Sequence, residues 1–248
     1  MRSRMLRFLR RGLTTALLLL GLAVFVSDTT GAGRGMWYPW YVAVAGARSH
    51  EDVVRHLGSR LRSGLEVAAR DRGIRYPPSG VTLVGLKEER RLEVWARKGT
   101  GFVLFRGYSV LAASGGPGPK LRRGDFQVPE GIYRLTSFNP NSSYHLSLRV
   151  DYPNERDREV ARAEHRTDLG GDIYIHGKNV SVGCLAIGDA GIEELYLLLA
   201  DVGLRRARII LAPSVDPRPS ADAAPSVVAL YEEIRGELVA VRGGRTGP

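Results

Sequence analysis

Apolar residues recur along this chain with two different periods, and the change from one to the other marks out its elements. Over residues 49–73, Val53, Val54, Leu57, Leu61, Leu65 and Ala68 fall on one stripe, while Arg55, Arg60, Arg62, Glu66 and Arg70 lie mostly off it. That spacing predicts an amphipathic helix docked on another element. Ser49 stands as its N-cap, Glu51 and Asp52 supply the acidic first turn, and Gly73 followed by Tyr76, Pro77, Pro78, Ser79 and Gly80 ends it. From Val81 the period becomes two: Val81, Leu83 and Gly85 oppose Thr82, Val84 and Leu86, and alternation returns over 92–96. A third apolar-rich run follows over 102–113, and the connections are short and polar. These segments predict strands in succession with an antiparallel start.

Residues 131–136 and 144–150 read as further strands, separated by the turn chemistry of Asn139, Pro140, Asn141, Ser142 and Ser143. The charged stretch up to Asp168 predicts an exposed loop or short helix. Over 172–176 alternation sends Ile173 and Ile175 to the core and puts Tyr174 and His176 together on the opposite face. A brief apolar run at 185–187 precedes a helix with Asp189 as cap, Ile192, Leu195, Tyr196 and Leu199 on it, and Gly203 as its stop. Residues 208–212 form a last strand, and 213–225, rich in proline and alanine, form a linker. A final helix carries Val227, Leu230, Tyr231, Ile234, Leu238 and Val241 on one face. The class expected is mainly β with flanking helices, a sandwich-type domain.

The N-terminus has its own pattern. Five arginines (Arg2, Arg4, Arg7, Arg10, Arg11) precede an uncharged, mostly apolar run over 13–26. This is a charged n-region followed by an h-region, too short for an ordinary spanning helix. It predicts a signal peptide, with Thr30, Gly31 and Ala32 as a cleavage site, or else a short N-terminal anchor that keeps the chain near a membrane. The remainder of the chain lies outside the cytoplasm, in the periplasm or cell envelope. The expected organisation is leader 1–32, N-terminal helical segment 33–78, catalytic domain 79–214, and linker with C-terminal helix 215–248.

Charge changes this picture little. The net charge is +10, but five of the arginines sit in the leader, and the remaining charge is moderately basic and dispersed. No Lys/Arg block with interleaved aromatics and no zinc-finger spacing is present, so nucleic acid is not an expected partner. The glycines of 115–125 lack the Gly-Lys-Ser/Thr ending of a phosphate loop and predict a surface loop.

Candidate chemistry centres on Cys184, the single cysteine. An exported chain with one thiol cannot staple itself internally. His176 lies eight positions upstream at a strand end, with Gly177, Ser181 and Gly183 between them. An imidazole is a common means of holding a thiol as thiolate, and Gly183 would let the backbone turn and present N–H groups to an oxyanion. Two other readings stand beside this one. Cys184 can be a small buried hydrophobe with His176 a strand-end polar residue, or His145 and His165 can join the pair around zinc, although no ligand-type spacing supports a metal.

The order of motifs resembles the L,D-transpeptidase catalytic domain (YkuD-type) family. The resemblance rests on Ile175, His176 and Gly177 followed by Ser181, Gly183 and Cys184. It is carried also by 114–120, Gly124-Asp125-Phe126, 129–133, 144–148 and Tyr152-Pro153-Asn154. It runs from about Val81 to Ala212 and looks closest to the YafK-like branch, although Val182 stands where many members have a second histidine. The resemblance implies Cys184 as nucleophile and His176 as its base, with the Gly177 carbonyl orienting the imidazole. Gly183 and Cys184 amides would form the oxyanion hole, and Ser181 would shape the loop. Tyr144, His145 and Tyr174 are the substrate-binding candidates. It further implies peptidoglycan stem peptides as substrate, with no metal and no cofactor. An amine acceptor gives a cross-link, whereas water gives hydrolysis or release of a wall-linked lipoprotein. A non-catalytic wall-binding module is the remaining alternative.

Overall fold

A computed structural model describes residues 15, 18–27, 33–116 and 118–243. The expected n-region and cleavage site lie outside the described residues. Two compact units are present, residues 1–47 and 48–248. In the first, residues 18–27 are helical and helix α1 spans Arg34–Ala45. Trp37 donates to Ser27 at 2.9 Å and packs edge-on to Tyr38 and Tyr41. No helix among the described residues is long and apolar enough to cross a membrane.

The second unit begins with helix α2, His50–Asp71, capped as expected by Ser49, whose side chain accepts from the Asp52 amide. Strands β1 (Val81–Leu86), β2 (Arg91–Lys98) and β3 (Gly101–Ser109) follow and pair antiparallel. Then come β4 (Gly131–Asn139), β5 (Ser147–Val150), helix α3 (Glu155–Ala163), β6 (Tyr174–His176) and β7 (Leu185–Ala186). Helix α4 (Gly188–Val202), a 3-10 turn (Leu204–Arg206), β8 (Ala207–Ala212) and helix α5 (Pro225–Arg242) complete the unit. The helix expected at 49–73 therefore belongs to the same compact unit as the strands, and the edge expected near residue 78 does not divide it.

All eight strands join one sheet in the order β3-β2-β1-β8-β4-β5-β6-β7. The last strand enters the middle of the sheet, parallel to β1 and antiparallel to β4. Alternation along β1 and β8 sends Leu83, Ile209 and Leu211 into one core with α2 and α4, all three fully buried. Val84, Leu86, Ile210 and Ala212 go to a second core, under Tyr231, Ile234, Leu238 and Val241 of α5. Burying such side chains contributes about 1.5–3 kcal/mol each, so the sheet centre is held from both faces.

Beyond Ile132, which still packs on the second core, the face opposite the larger core opens. Leu135, Leu148, Val150 and Ile175 enter the larger core, whereas Arg134, Thr136, Ser137 and Arg149 on the other face are exposed. A bulge between Leu135 and Ser137 keeps these outward positions in line. The strand expected from residue 144 begins only at Ser147, because His145 takes a φ of 78° and breaks the extended run. Likewise Asp172, at φ 58°, delays the strand expected from 172 until Tyr174.

Candidate active site

β6 and β7 pair in parallel, Ile175 opposite Leu185 and His176 opposite Ala186. The register sets Cys184 beside Tyr174, and the Tyr174 amide donates to the Cys184 sulfur at 3.3 Å. Since Ile175 and Leu185 point into the core, Tyr174, His176 and Cys184 share the open face. His176 and Cys184 are thus diagonal neighbours, a relation in which Cα atoms lie about 7–8 Å apart. The short β7 strand is held from its other side too, by exchange of amide bonds between Ala186 and Leu111 and Ala112 at 2.8 and 3.0 Å.

His176 is buried, 3% exposed. Its Nδ1 lies 2.7 Å from the Gly177 carbonyl oxygen, an acceptor only, so Nδ1 carries the proton and Nε2 keeps its lone pair. Tyr144 packs on the imidazole, with ring centroids 4.7 Å apart. Gly177 is required by space: a Cβ there would meet the Asp189 Oδ1 at 2.6 Å and the Tyr144 carbonyl oxygen at 2.7 Å. Asp189 does not cap α4, whose N-cap is Ile187. Its carboxylate instead receives the amide and the ammonium of Lys178, each at 2.9 Å, and so fixes the strand end that carries His176.

The Cys184 thiol is half-buried and donates to the Asp172 carbonyl oxygen at 3.5 Å. Burial, reinforced by the Asp172 charge, pushes its pKa up to about 11 against the Tyr174 amide and Lys120. Burial also lowers the His176 pKa, with the Gly177 carbonyl opposing it. The resting pair is therefore thiol and neutral imidazole, not the thiolate pair expected from sequence, because desolvation disfavours both charges.

The neighbouring amides are occupied. Gly183 N–H donates to Ser114 Oγ at 2.6 Å, and Cys184 N–H to Ser181 Oγ at 3.1 Å, with Ser181 donating back to the Cys184 carbonyl at 2.7 Å. Gly183 takes a φ of 80°, a region glycine enters without strain.

A cleft of about 310 Å³ opens over the pair, lined by Asn139, Ser142, Tyr144, Tyr174, His176 and Cys184 among others. Of the candidates for substrate contact, Tyr144 and Tyr174 border it. His145 does not; its Nε2 meets Glu193 at 2.8 Å. Sequence reading missed Asn139, Ser142 and Asp172 as cleft residues. Their turn chemistry was visible, but nothing local brings those turns to one place. Ser114 was quoted only as part of a motif, and its bond to Gly183 spans 69 positions.

The family model for the L,D-transpeptidase catalytic domain (YkuD) matches residues 80–209, just over half of the chain. The chain belongs to this family. It is 38% identical over 112 residues to the Escherichia coli K-12 protein named "Putative L,D-transpeptidase YafK", a stretch covering 44% of this chain and 43% of that one. It spans less than half the length of the curated relatives it matches. Among solved structures, the helical cell shape determining protein Pgp2 of Campylobacter jejuni is similar at 20% identity and TM-score 0.45, over 64% of this chain and 56% of that chain. L,D-transpeptidase 1 of Mycobacterium tuberculosis is similar at 16% identity and TM-score 0.31, over 53% and 61%.

Proposed function

We propose that the protein is an extracytoplasmic cysteine acyltransferase acting on peptidoglycan stem peptides. The observation that carries this reading is the placement of Cys184 and His176 on one open face, with the imidazole held by Gly177 in the tautomer that leaves Nε2 free as a base. Family membership supplies the substrate class. The thiol attacks the carbonyl at the L-centre of the stem-peptide diaminopimelate, and its proton passes to His176 Nε2 as the S–C bond forms. The charge developing on the carbonyl oxygen goes to the Gly183 and Cys184 amides. An oxyanion accepts more strongly than the hydroxyls of Ser114 and Ser181 that now sit there, and so displaces them. Collapse of the adduct breaks the C–N bond, and the leaving amine takes the proton back from His176. Tyr144 and Tyr174 flank the acyl group in the cleft.

The thioester then passes to an acceptor. An amine gives transpeptidation; water gives hydrolysis or release of a wall-linked peptide or lipoprotein. Water has ready access, since Asp172 at the cleft rim has a side chain 79% exposed, and this favours the hydrolytic outcome as second reading. The test is incubation of the full chain and its Cys184→Ala variant with muropeptides, with and without a diaminopimelate-type amine, followed by mass spectrometry. Amine-joined products that need Cys184 are the expected result. Shortened products alone establish the hydrolase, and products formed equally by Cys184→Ala overturn thiol chemistry.

A further inference from the structure

Two adjoining grooves of about 330 and 510 Å³ lie where β1 and β8 begin. Six cations line them, Arg75, Arg97, Lys98, Arg205, Arg206 and Arg208, and no carboxylate does. Among the described residues only Arg208 of these six forms an ion pair, with Glu237 at 2.7 Å. Arg97 is held over the Phe102 ring at 5.0 Å, and Lys98 donates to the Arg72 carbonyl at 2.7 Å. A concave, arginine-rich site in which five of six cations have no acidic partner among the described residues suits anionic groups carried on a chain, since guanidinium binds carboxylate or phosphate through paired N–H groups.

Strand register connects these grooves to the thiol. Arg208, ion-paired to Glu237 of α5, pairs with Arg134, which lies on the same face beyond the part that α5 covers and is exposed. Five residues on, β4 reaches Asn139 at the rim of the catalytic cleft, about 17 Å at strand rise. Ser137 pairs with Arg149, and Arg149 with Tyr174. Arg134, Ser137, Arg149 and Tyr174 therefore form one lane ending beside Cys184. Two acids border it: Asp172, 3.6 Å from Arg149, and Asp151, which accepts from the Arg134 amide.

We propose that the grooves, continued by Arg134 and Arg149, form a second binding site for a linear polycarboxylate, seating neighbouring acidic peptides of a polymeric substrate while Cys184 acts on one of them. The choice of carboxylate rests on the function proposed above. A concave groove joined to a lane favours a chain over the flat surface of a lipid bilayer.

The test compares the full chain with a groove variant, Arg97→Glu/Arg206→Glu, and a control of equal charge change, Arg55→Glu/Arg218→Glu, both controls being exposed. Sedimentation with purified peptidoglycan sacculi, across a salt series, reads binding. We expect the groove variant to lose affinity about tenfold and its salt dependence to flatten, with the control unchanged. On sacculi as substrate, KM rises about tenfold while kcat stays within about twofold; a merely structural role would lower kcat and melting temperature together. Equal binding by groove variant and control overturns the proposal. So does groove-dependent binding to anionic phosphatidylglycerol vesicles without groove-dependent binding to sacculi, which assigns the site to lipid phosphate. Groove-dependent sacculus binding without any Cys184-dependent product sustains the groove and removes the catalytic reading instead.

Discussion

The two halves of the sheet are built to different ends. At its centre, β1 and β8 are packed on both faces, by α2 and α4 on one side and α5 on the other. Toward β5, β6 and β7 the inner face is still packed but the outer face carries Tyr174, His176 and Cys184 into an open cleft. The centre is held from both faces, whereas the open end presents the candidate site and shares only the larger core. Groups on that open face are nonetheless desolvated enough to rest uncharged.

Substitutions can separate the two halves. The largest effect expected is from Cys184→Ala, which abolishes acyl-enzyme formation, seen as loss of the adduct in intact-protein mass spectrometry, and leaves the thermal midpoint nearly unchanged. Leu83→Ala does the reverse. Leu83 is fully buried, so a loss of about 2–5 kcal/mol in denaturant unfolding is expected, with the acylation rate of the folded fraction retained. A smaller loss would mean that the centre relaxes as the open end can. His176→Ala is expected to slow acylation by about two orders of magnitude; an unchanged rate removes it from the mechanism.

Two finer tests concern charge and exposure. Cys184 has its pKa raised to about 11, so iodoacetamide alkylation is expected to be slow near neutrality and to rise about tenfold per pH unit toward that value. Fast alkylation at pH 7 would show a thiolate pair after all. The signs for stability follow. The raised thiol pKa gives a contribution present below the pKa of an unfolded thiol and lost as pH rises toward 11. The lowered His176 pKa gives one present above about 6.5 and lost as pH falls through the folded value. The acid limb of acylation is accordingly expected below pH 6.5. Val182→Ala, 67% exposed, is expected to move stability within about 0.5 kcal/mol.

Much of the open end was legible along the chain. Alternation over 172–176 put Tyr174 and His176 on one face, and the Gly177 carbonyl oxygen lies 2.7 Å from His176 Nδ1. The amphipathic stripes at 53–68 and 227–241 became α2 and α5. What stayed hidden was arrangement between distant segments. The pairing of β8 with β1 joins Val81 to Ala207, and a short apolar run carries no record of its neighbour. The resting protonation of the cysteine was hidden for a like reason. A nearby histidine in sequence suggests a thiolate, but the desolvation that opposes it comes from residues the sequence does not place beside Cys184. Asp189, read as a cap, turned out to serve Lys178 because the helix begins at Gly188, two residues before a helix capped by Asp189 would.

Gly177 has a consequence for how such chains diverge. Its missing side chain is demanded by the Tyr144 backbone and the Asp189 carboxylate, independently of any reaction. Drift at this position is halted by volume, so a descendant that has lost its thiol still keeps the glycine as long as it folds. Gly177 therefore tracks ancestry of the fold, whereas His176 and Cys184 would track retention of the proposed chemistry.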